Sequence, residues 1–173
     1  MHALGFSFVQ LMNISTYAPG NPSPSIAFQD IINREVCSSF YDILVRKDTD
    51  VRRKAWEKLV GGLRRFGKEK KAGGPCFAGT QTLGLVDVAL IPHAARFYIL
   101  SYYRGKDFTL DPKDPSLAPF FTWNRHVMSL PAVKATMADK DRLLQSYKRY
   151  ADGTAASKIA DAVRAGKSAD QHD

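Results

Sequence analysis

The chain has 173 residues, of which 45% are hydrophobic, and it carries a formal net charge of +8. This length and composition are typical of a globular protein with one domain-sized core, and they exclude an intrinsically disordered chain. No apolar run approaches the length of a membrane span, and the apolar stretch at residues 3–12 lacks the basic leader of a secretory signal. We therefore expect a soluble, cytoplasmic protein.

The region before the first regular helix is rich in proline and glycine. Residues 13–25 include three prolines and one glycine, a density that neither a helix nor an inner strand tolerates. We predict an N-terminal arm or linker over residues 1–25, a helical domain over residues 26–167 and a flexible tail over residues 168–173. Ser25 is the predicted N-cap of the first helix.

Apolar residues recur at spacings of three and four along most of the remaining chain, which predicts amphipathic helices. No segment has the pattern of a confident strand. The predicted fold class is all-α, a bundle of about six to eight helices. Residues 85–103 are apolar nearly all round and form the predicted central, buried helix. The predicted helices span residues 26–46, 50–71, 85–103 and 115–129, a short piece from residue 131, and residues 139–150 and 152–165.

Positive charge is concentrated on the second predicted helix. Residues 46–71 hold eleven Lys or Arg against four Asp or Glu, a net +7. Such a face is either solvated or in contact with nucleic acid or an acidic partner. No aromatic platform or base-reading motif accompanies the charge in the sequence, so we interpret it as a solvated face and do not expect nucleic-acid binding.

The two cysteines, Cys37 and Cys76, lie in different segments and lack the close spacing of metal ligands. We expect two reduced thiols, with no disulfide and no metal site. Cys37 also belongs to a stripe on the first helix, because Asn33, Cys37 and Tyr41 follow one another at intervals of four residues.

The start of the central helix has the pattern of a capping box. Gly84 takes the N-cap position, and Asp87 at the third helical position can accept a hydrogen bond from the N-cap amide. Leu83 and Val88 are spaced as a hydrophobic staple. The sequence therefore assigns Gly84 and Asp87 a structural role.

Three residues interrupt the same helix further on. Pro92 cannot donate a backbone hydrogen bond, which predicts a kink. Arg96 cannot lose its charge, so it must be paired with an acidic residue of a neighbouring helix, be exposed to solvent, or face a solvated cavity that could bind a ligand. For His93, a hydrogen-bonded position in the core and a place in the lining of a pocket are both open.

The helix start at Gly84 and Asp87, the proline and arginine of residues 91–96, and the closing segment at residues 146–167 together resemble the C-terminal helical domain of glutathione transferases of the fungal omega-like type. The resemblance covers residues 26–167 and includes no N-terminal thioredoxin-like domain. Gly84 stands where the family usually has Ser or Thr, and His93 stands where it has an aromatic residue.

The resemblance implies a site for glutathione, as co-substrate, and a small hydrophobic electrophile between the first and central helices. It implies glutathione conjugation or glutathione-assisted cis-trans isomerisation, in secondary metabolism or detoxification, by a homodimer. Tyr41 or Tyr17 would donate a hydrogen bond. The rival interpretation is a non-catalytic dimerisation or assembly module. The residues that the resemblance places at the site are Asn33, Cys37, Tyr41, His93 and Arg96.

Overall fold

Residues 24–169, which a computed structural model describes, fold into α-helices without a strand among them. The predicted all-α class is confirmed. Tyr17 and the rest of the predicted N-terminal arm up to residue 23 lie outside the described residues, as do residues 170–173. The helices are α1 (Pro24–Ile32), α2 (Ser38–Val45), α3 (Thr49–Glu69), α4 (Leu85–Ala94), α5 (Phe97–Arg104), α6 (Ala118–Ser129), α7 (Pro131–Thr136), α8 (Lys140–Ala151) and α9 (Lys158–Arg164).

The first predicted helix is one continuous rod of α1, a π-helical turn at Asn33–Cys37, and α2. Its inward face is fully buried at Ile32 and Val36 and continues into α2. The predicted N-cap is wrong, because Ser25 already lies inside α1. A proline is well suited to the first turn of a helix, so Pro24 belongs to α1 as well.

The basic helix α3 begins at the N-cap Asp48, whose carboxylate accepts hydrogen bonds from the amides of Asp50 and Val51 at 2.8 and 3.0 Å. It packs against α2 and the π-helical turn. The glycines in its middle differ in role. Gly61 faces open space, whereas a Cβ atom on Gly62 would lie 2.8 Å from Cγ2 of Val36. Gly62 therefore permits the close approach of α3 to the first rod.

The predicted central helix is two helices, α4 and α5, because the chain breaks at Ala95 and Arg96. Pro92 lies within α4, and the break follows three residues later, where the backbone of Arg96 has φ −116° and ψ 1°. The amide of Arg96 donates to the His93 carbonyl at 2.9 Å. The donor and acceptor are three residues apart instead of four, so the last turn of α4 is tightened. A break, rather than a kink, is what the proline region produces.

The central segment is also less buried than its sequence predicts. The buried residues of α4 are Val86, Asp87, Leu90 and Ile91, while its other residues remain half-exposed. The expectation of a helix buried all round is therefore wrong. One half-exposed apolar side of α4 runs toward the break.

The last helices close the bundle. α6 packs against α3 and α4, and α8 packs against α2 and α5. The predicted helix over residues 152–165 starts only at Lys158, because Gly153 ends α8 with φ 76° and the Ser157 side chain caps α9. Ala169 packs beyond the end of α9 against Val45 and Val163. Within residues 24–169, no helix combines the length and the hydrophobicity that a membrane span requires.

Candidate functional site

At the start of α4, the Asp87 carboxylate is completely buried and accepts three hydrogen bonds. The amide of Gly84 donates to Oδ2 at 2.8 Å, and the amide of Phe77 donates to Oδ1 at 2.9 Å. The indole Nε1 of Trp123, on α6, donates to the same Oδ1 at 2.6 Å. Asp87 thus joins the helix start, the preceding loop and α6, which is a structural role.

At the other end of α4, aromatic side chains from several helices surround an arginine. We call Tyr41, His93, Arg96, Tyr98 and Tyr147 the arginine–aromatic cluster. The rings of Tyr41 and His93 lie 6.3 Å apart and are nearly perpendicular. Nη1 of Arg96 donates to the Tyr147 hydroxyl at 3.4 Å. The break places Arg96 among side chains of α2, α4, α5 and α8.

Arg96 is part-buried, and its charge has no carboxylate partner among residues 24–169. The sequence left open a salt bridge to a neighbouring helix, and the described ion pairs do not include one. Its hydrogen bond goes to a neutral hydroxyl. A part-buried guanidinium with unused N–H donors is a group that an anion can bind.

Two buried polar atoms of the cluster also lack a well-aligned hydrogen-bond partner, although the Ala89 carbonyl lies near the His93 imidazole. In the described part of the chain, five side-chain nitrogen or oxygen atoms are buried and unpaired, and two of them are Nδ1 of His93 and Oη of Tyr98. Native proteins rarely leave such atoms unpaired, because each costs part of its hydration free energy. Their position beside Arg96 favours a site that a polar ligand completes.

The environment fixes the protonation states of the cluster. Burial, and next the positive charge of Arg96, lower the pKa of His93 to about 4. The imidazole is therefore neutral at pH 7. Burial raises the pKa of Tyr41, and the neighbouring Tyr147 adds to that effect, so the phenol keeps its proton and can donate. Arg96 is thus the fixed charge that these groups face.

The other two predicted site residues, Asn33 and Cys37, lie at the two ends of the π-helical turn of the first rod. The Cys37 sulfur lies 3.9 Å from the Ala89 carbonyl oxygen, one turn of α4 before His93. Burial raises the pKa of the Cys37 thiol to about 12, so it stays protonated and is a poor nucleophile. Asn33 lies at the start of the π-helical turn and is half-exposed, and no described contact joins it to Arg96. π-Helical turns occur frequently at functional sites.

The sequence did not single out Tyr98 and Tyr147 as site residues. A signal existed for Tyr147, because Tyr147 and Tyr150 are three residues apart on the otherwise strongly charged helix α8. Their rings lie 5.7 Å apart, and Tyr150 is 6.0 Å from Tyr41. Tyr98 offered no such signal, since it lies among other apolar and aromatic residues of α5.

Other parts of the described surface are weaker candidates. An open groove of about 310 Å³ lies between α3 and the start of α6, but its Arg64 is already paired with Asp114 at 2.9 Å. On the basic helix, Arg53 and Arg65 form ion pairs with Asp50 and Glu35. Among residues 24–169, no three His, Cys, Asp or Glu side chains are grouped as metal ligands. That the basic face does not bind nucleic acid stays a prediction.

Comparison with known proteins relates this architecture to a solved structure. No protein-family model and no curated protein matches the chain. The crystal structure of glutathione transferase Omega 3C from Trametes versicolor is similar over 77% of this chain, with 24% sequence identity and a TM-score of 0.60. The match covers 54% of that protein's chain, so this chain spans about half of its length. The chain therefore has the helical fold of a glutathione transferase C-terminal-like domain.

Proposed function

We propose that the chain is a glutathione-transferase-like protein that binds a small hydrophobic electrophile for glutathione conjugation or glutathione-assisted cis-trans isomerisation. The proposal places it in the cytoplasm as a homodimer, in secondary metabolism or detoxification. The observation that carries the proposal is the part-buried, carboxylate-free Arg96 surrounded by aromatic rings and unpaired polar atoms. The similar Trametes versicolor protein is a glutathione transferase, which supports the reaction class.

In this proposal, the charge of Arg96 and the apolar surface of the aromatic rings bind different parts of the substrate. The partly exposed rings of Tyr41 and Tyr98 contact the apolar part of the substrate, and their hydroxyls donate hydrogen bonds. Neutral His93 adds a polar atom without adding a second charge. Asn33 and Cys37 border the site on the first rod. This arrangement orients a substrate but supplies no activated nucleophile of its own.

The reacting thiolate therefore comes from glutathione in this proposal, because the Cys37 thiol stays protonated. In conjugation, the glutathione sulfur forms a bond to the electrophilic carbon, and the leaving group departs with its electron pair. In isomerisation, the sulfur adds to a conjugated alkene, rotation occurs about the former double bond, and the carbon–sulfur bond breaks to return the thiolate. The tyrosine hydroxyls are placed to stabilise negative charge on the substrate.

The test combines binding, turnover and stability. Glutathione binding is measured by calorimetry, and turnover is followed with 4-chloro-3,5-dinitrobenzoate, an electrophile that carries an anionic group for Arg96. We expect Arg96→Ala to lower turnover by at least about tenfold with little change in melting temperature, since the contact is made to ligand. Arg125→Ala, on an exposed arginine of α6, is the matched control. Cys37→Ala should leave turnover largely intact.

A result in which Arg96→Ala strongly destabilises the protein, while the folded fraction keeps normal turnover, contradicts the site. His93→Ala is the second probe of the same site. Its loss should weaken substrate binding without removing the charge, so we expect a smaller effect than that of Arg96→Ala.

A specific observation favours a second candidate, a non-catalytic dimerisation or assembly module. Leu85, Val88, Ala89 and Pro92 lie on the half-exposed side of α4, an apolar surface that a partner could cover. This candidate predicts no glutathione binding and a chain that self-associates in sedimentation experiments. Changing Val88 to Glu would then disrupt association, whereas the first candidate, whose site is the arginine–aromatic cluster, predicts that glutathione binding and turnover survive the substitution.

A further inference from the structure

We infer that Arg96 holds the carboxylate of an aromatic or conjugated acid, so that the electrophile of the site carries a negative charge. The inference rests on the proposed function for the reaction that follows, but the carboxylate contact itself can be measured separately. The expected substrate is then an aromatic or conjugated acid, which is a narrower class than hydrophobic electrophiles in general.

The polar atoms of the cluster are mostly donors. The Arg96 guanidinium carries five N–H donors, and its described hydrogen bond is to the neutral Tyr147 hydroxyl at 3.4 Å. The hydroxyls of Tyr41 and Tyr98 can donate as well, and the latter is buried without a partner. A carboxylate supplies two oxygens with about four acceptor sites, which matches such a surplus of donors.

The geometry of a guanidinium favours a carboxylate over a thiolate at this position. A planar guanidinium donates two parallel hydrogen bonds to the two oxygens of a carboxylate, whereas a thiolate offers one sulfur atom. The long contact from Arg96 to Tyr147 leaves such a pair of donors available. We therefore assign Arg96 to substrate recognition rather than to activation of the thiol.

The surroundings limit both the charge and the shape of the ligand. His93 is neutral, so Arg96 faces a monoanion more favourably than a dianion such as phosphate. Near Tyr98 lie the acidic residues Asp139 and Asp141, together with Lys140, whose ammonium is 5.0 Å from the Tyr98 ring centre. These acids are exposed, and they disfavour additional negative charge on the side of the cluster that faces α8.

The carboxylate could belong to the electrophile or to glutathione, which has two. Aromatic rings favour the electrophile, because the partly exposed rings of Tyr41 and His93, which pack edge to face, offer apolar surface to a conjugated ligand. A peptide such as glutathione has no conjugated skeleton to place against them. The experiment therefore includes glutathione as a competing ligand.

The probes are trans-cinnamate and trans-cinnamamide, which have nearly the same shape but differ in charge. Their dissociation constants are measured by calorimetry at pH 7 for the parent chain, Arg96→Gln, Arg96→Lys and the control Arg125→Gln. We expect the parent and the control to bind cinnamate at least about tenfold more tightly than cinnamamide. Arg96→Gln should bind both within about twofold, and Arg96→Lys should retain part of the preference. Far-UV circular dichroism verifies that each variant is folded.

The cinnamate titrations are repeated in saturating glutathione. Unchanged affinity for cinnamate supports the inference, whereas displacement of cinnamate assigns Arg96 to a glutathione carboxylate and overturns it. Equal affinities for acid and amide, a preference that survives in Arg96→Gln, or binding of neither probe also overturn it.

Turnover with the neutral substrate 1-chloro-2,4-dinitrobenzene separates the two proposals. Conjugation of that substrate without a preference for cinnamate means that the inference fails and the proposed function stands. If the chain prefers cinnamate in a way that depends on Arg96 but does not bind glutathione, the inference stands and the proposed function fails.

Discussion

Buried polar groups at the two ends of α4 differ in their hydrogen bonding. At its start, the Asp87 carboxylate is fully buried and accepts hydrogen bonds from two backbone amides and an indole. At its end, Nδ1 of His93 and Oη of Tyr98 are buried without partners beside Arg96. One end of a ten-residue helix is thus paired within the fold, and the other leaves polar atoms unpaired.

The difference separates stability from function. A buried carboxylate that is fully hydrogen-bonded stabilises the fold and has little capacity left for a ligand. Unpaired buried atoms raise the free energy of the folded state, and a ligand that supplies the missing partners recovers that cost. We expect substitutions at the start of α4 to change stability, and those at its end to change binding and pH dependence.

The largest effect is expected for Asp87→Ala. The substitution leaves the amides of Phe77 and Gly84 and the indole of Trp123 without their shared acceptor, and we expect a loss of roughly 3–5 kcal/mol in the free energy of unfolding. Urea unfolding measures it. Asp107→Ala, at an exposed aspartate, is the control and should cost less than about 0.5 kcal/mol. Equal stability of Asp87→Ala and the parent would falsify the structural role.

The next effect concerns pH at the other end of α4. The pKa of His93 is about 4 in the folded chain against an ordinary value of 6.5, so the unfolded chain binds the proton more readily between these values. The neutral imidazole makes its full contribution to the free energy of unfolding above pH 6.5. As the pH falls toward 4, that free energy decreases by roughly 3 kcal/mol. His93→Gln cannot titrate, so the loss on going from pH 7 to pH 4.5 should be smaller in that variant. Parallel losses in both proteins would contradict the assignment.

A smaller effect is expected for Trp123→Phe. The aromatic packing is largely kept, but Asp87 loses one of its three donors, and we expect a cost of about 1–2 kcal/mol in thermal or urea unfolding. Trp56→Phe is the matched control, because Trp56 is half-exposed and packs edge-on against Phe108. If the two substitutions cost the same, the indole bond to Asp87 contributes nothing measurable.

The smallest effect is expected at the N-cap. The Gly84 amide donates a hydrogen bond to the Asp87 carboxylate, but glycine has no side-chain oxygen that could accept one from the Asp87 amide. A Cβ atom at this position would lie 3.5 Å from Oδ2 of Asp87, an ordinary contact, so serine fits. Gly84→Ser should stabilise by a few tenths of a kcal/mol, whereas Gly84→Ala should destabilise slightly. A less stable serine variant would show that the box cannot be completed.

The sequence predicted the start of α4 better than its end. The spacing of Gly84 and Asp87 is a local pattern, and the bond between them spans three residues. The bond from Trp123 to Asp87 spans 36 positions, and no local pattern could reveal it. Similarly, Pro92 indicated that the central helix would be interrupted, but only the structure places the break at Ala95 and Arg96.

By itself, the sequence determined the all-α class, most helix positions and the residue types of the candidate site, because helical periodicity and capping depend on neighbours within one or two turns. The tertiary structure decided which of those residues meet. It brought Tyr147 to Arg96 and left α4 half-exposed on one side. Such contacts depend on how separate helices pack. Arg96 and Tyr147 are 51 positions apart, so no local sequence pattern predicts their contact.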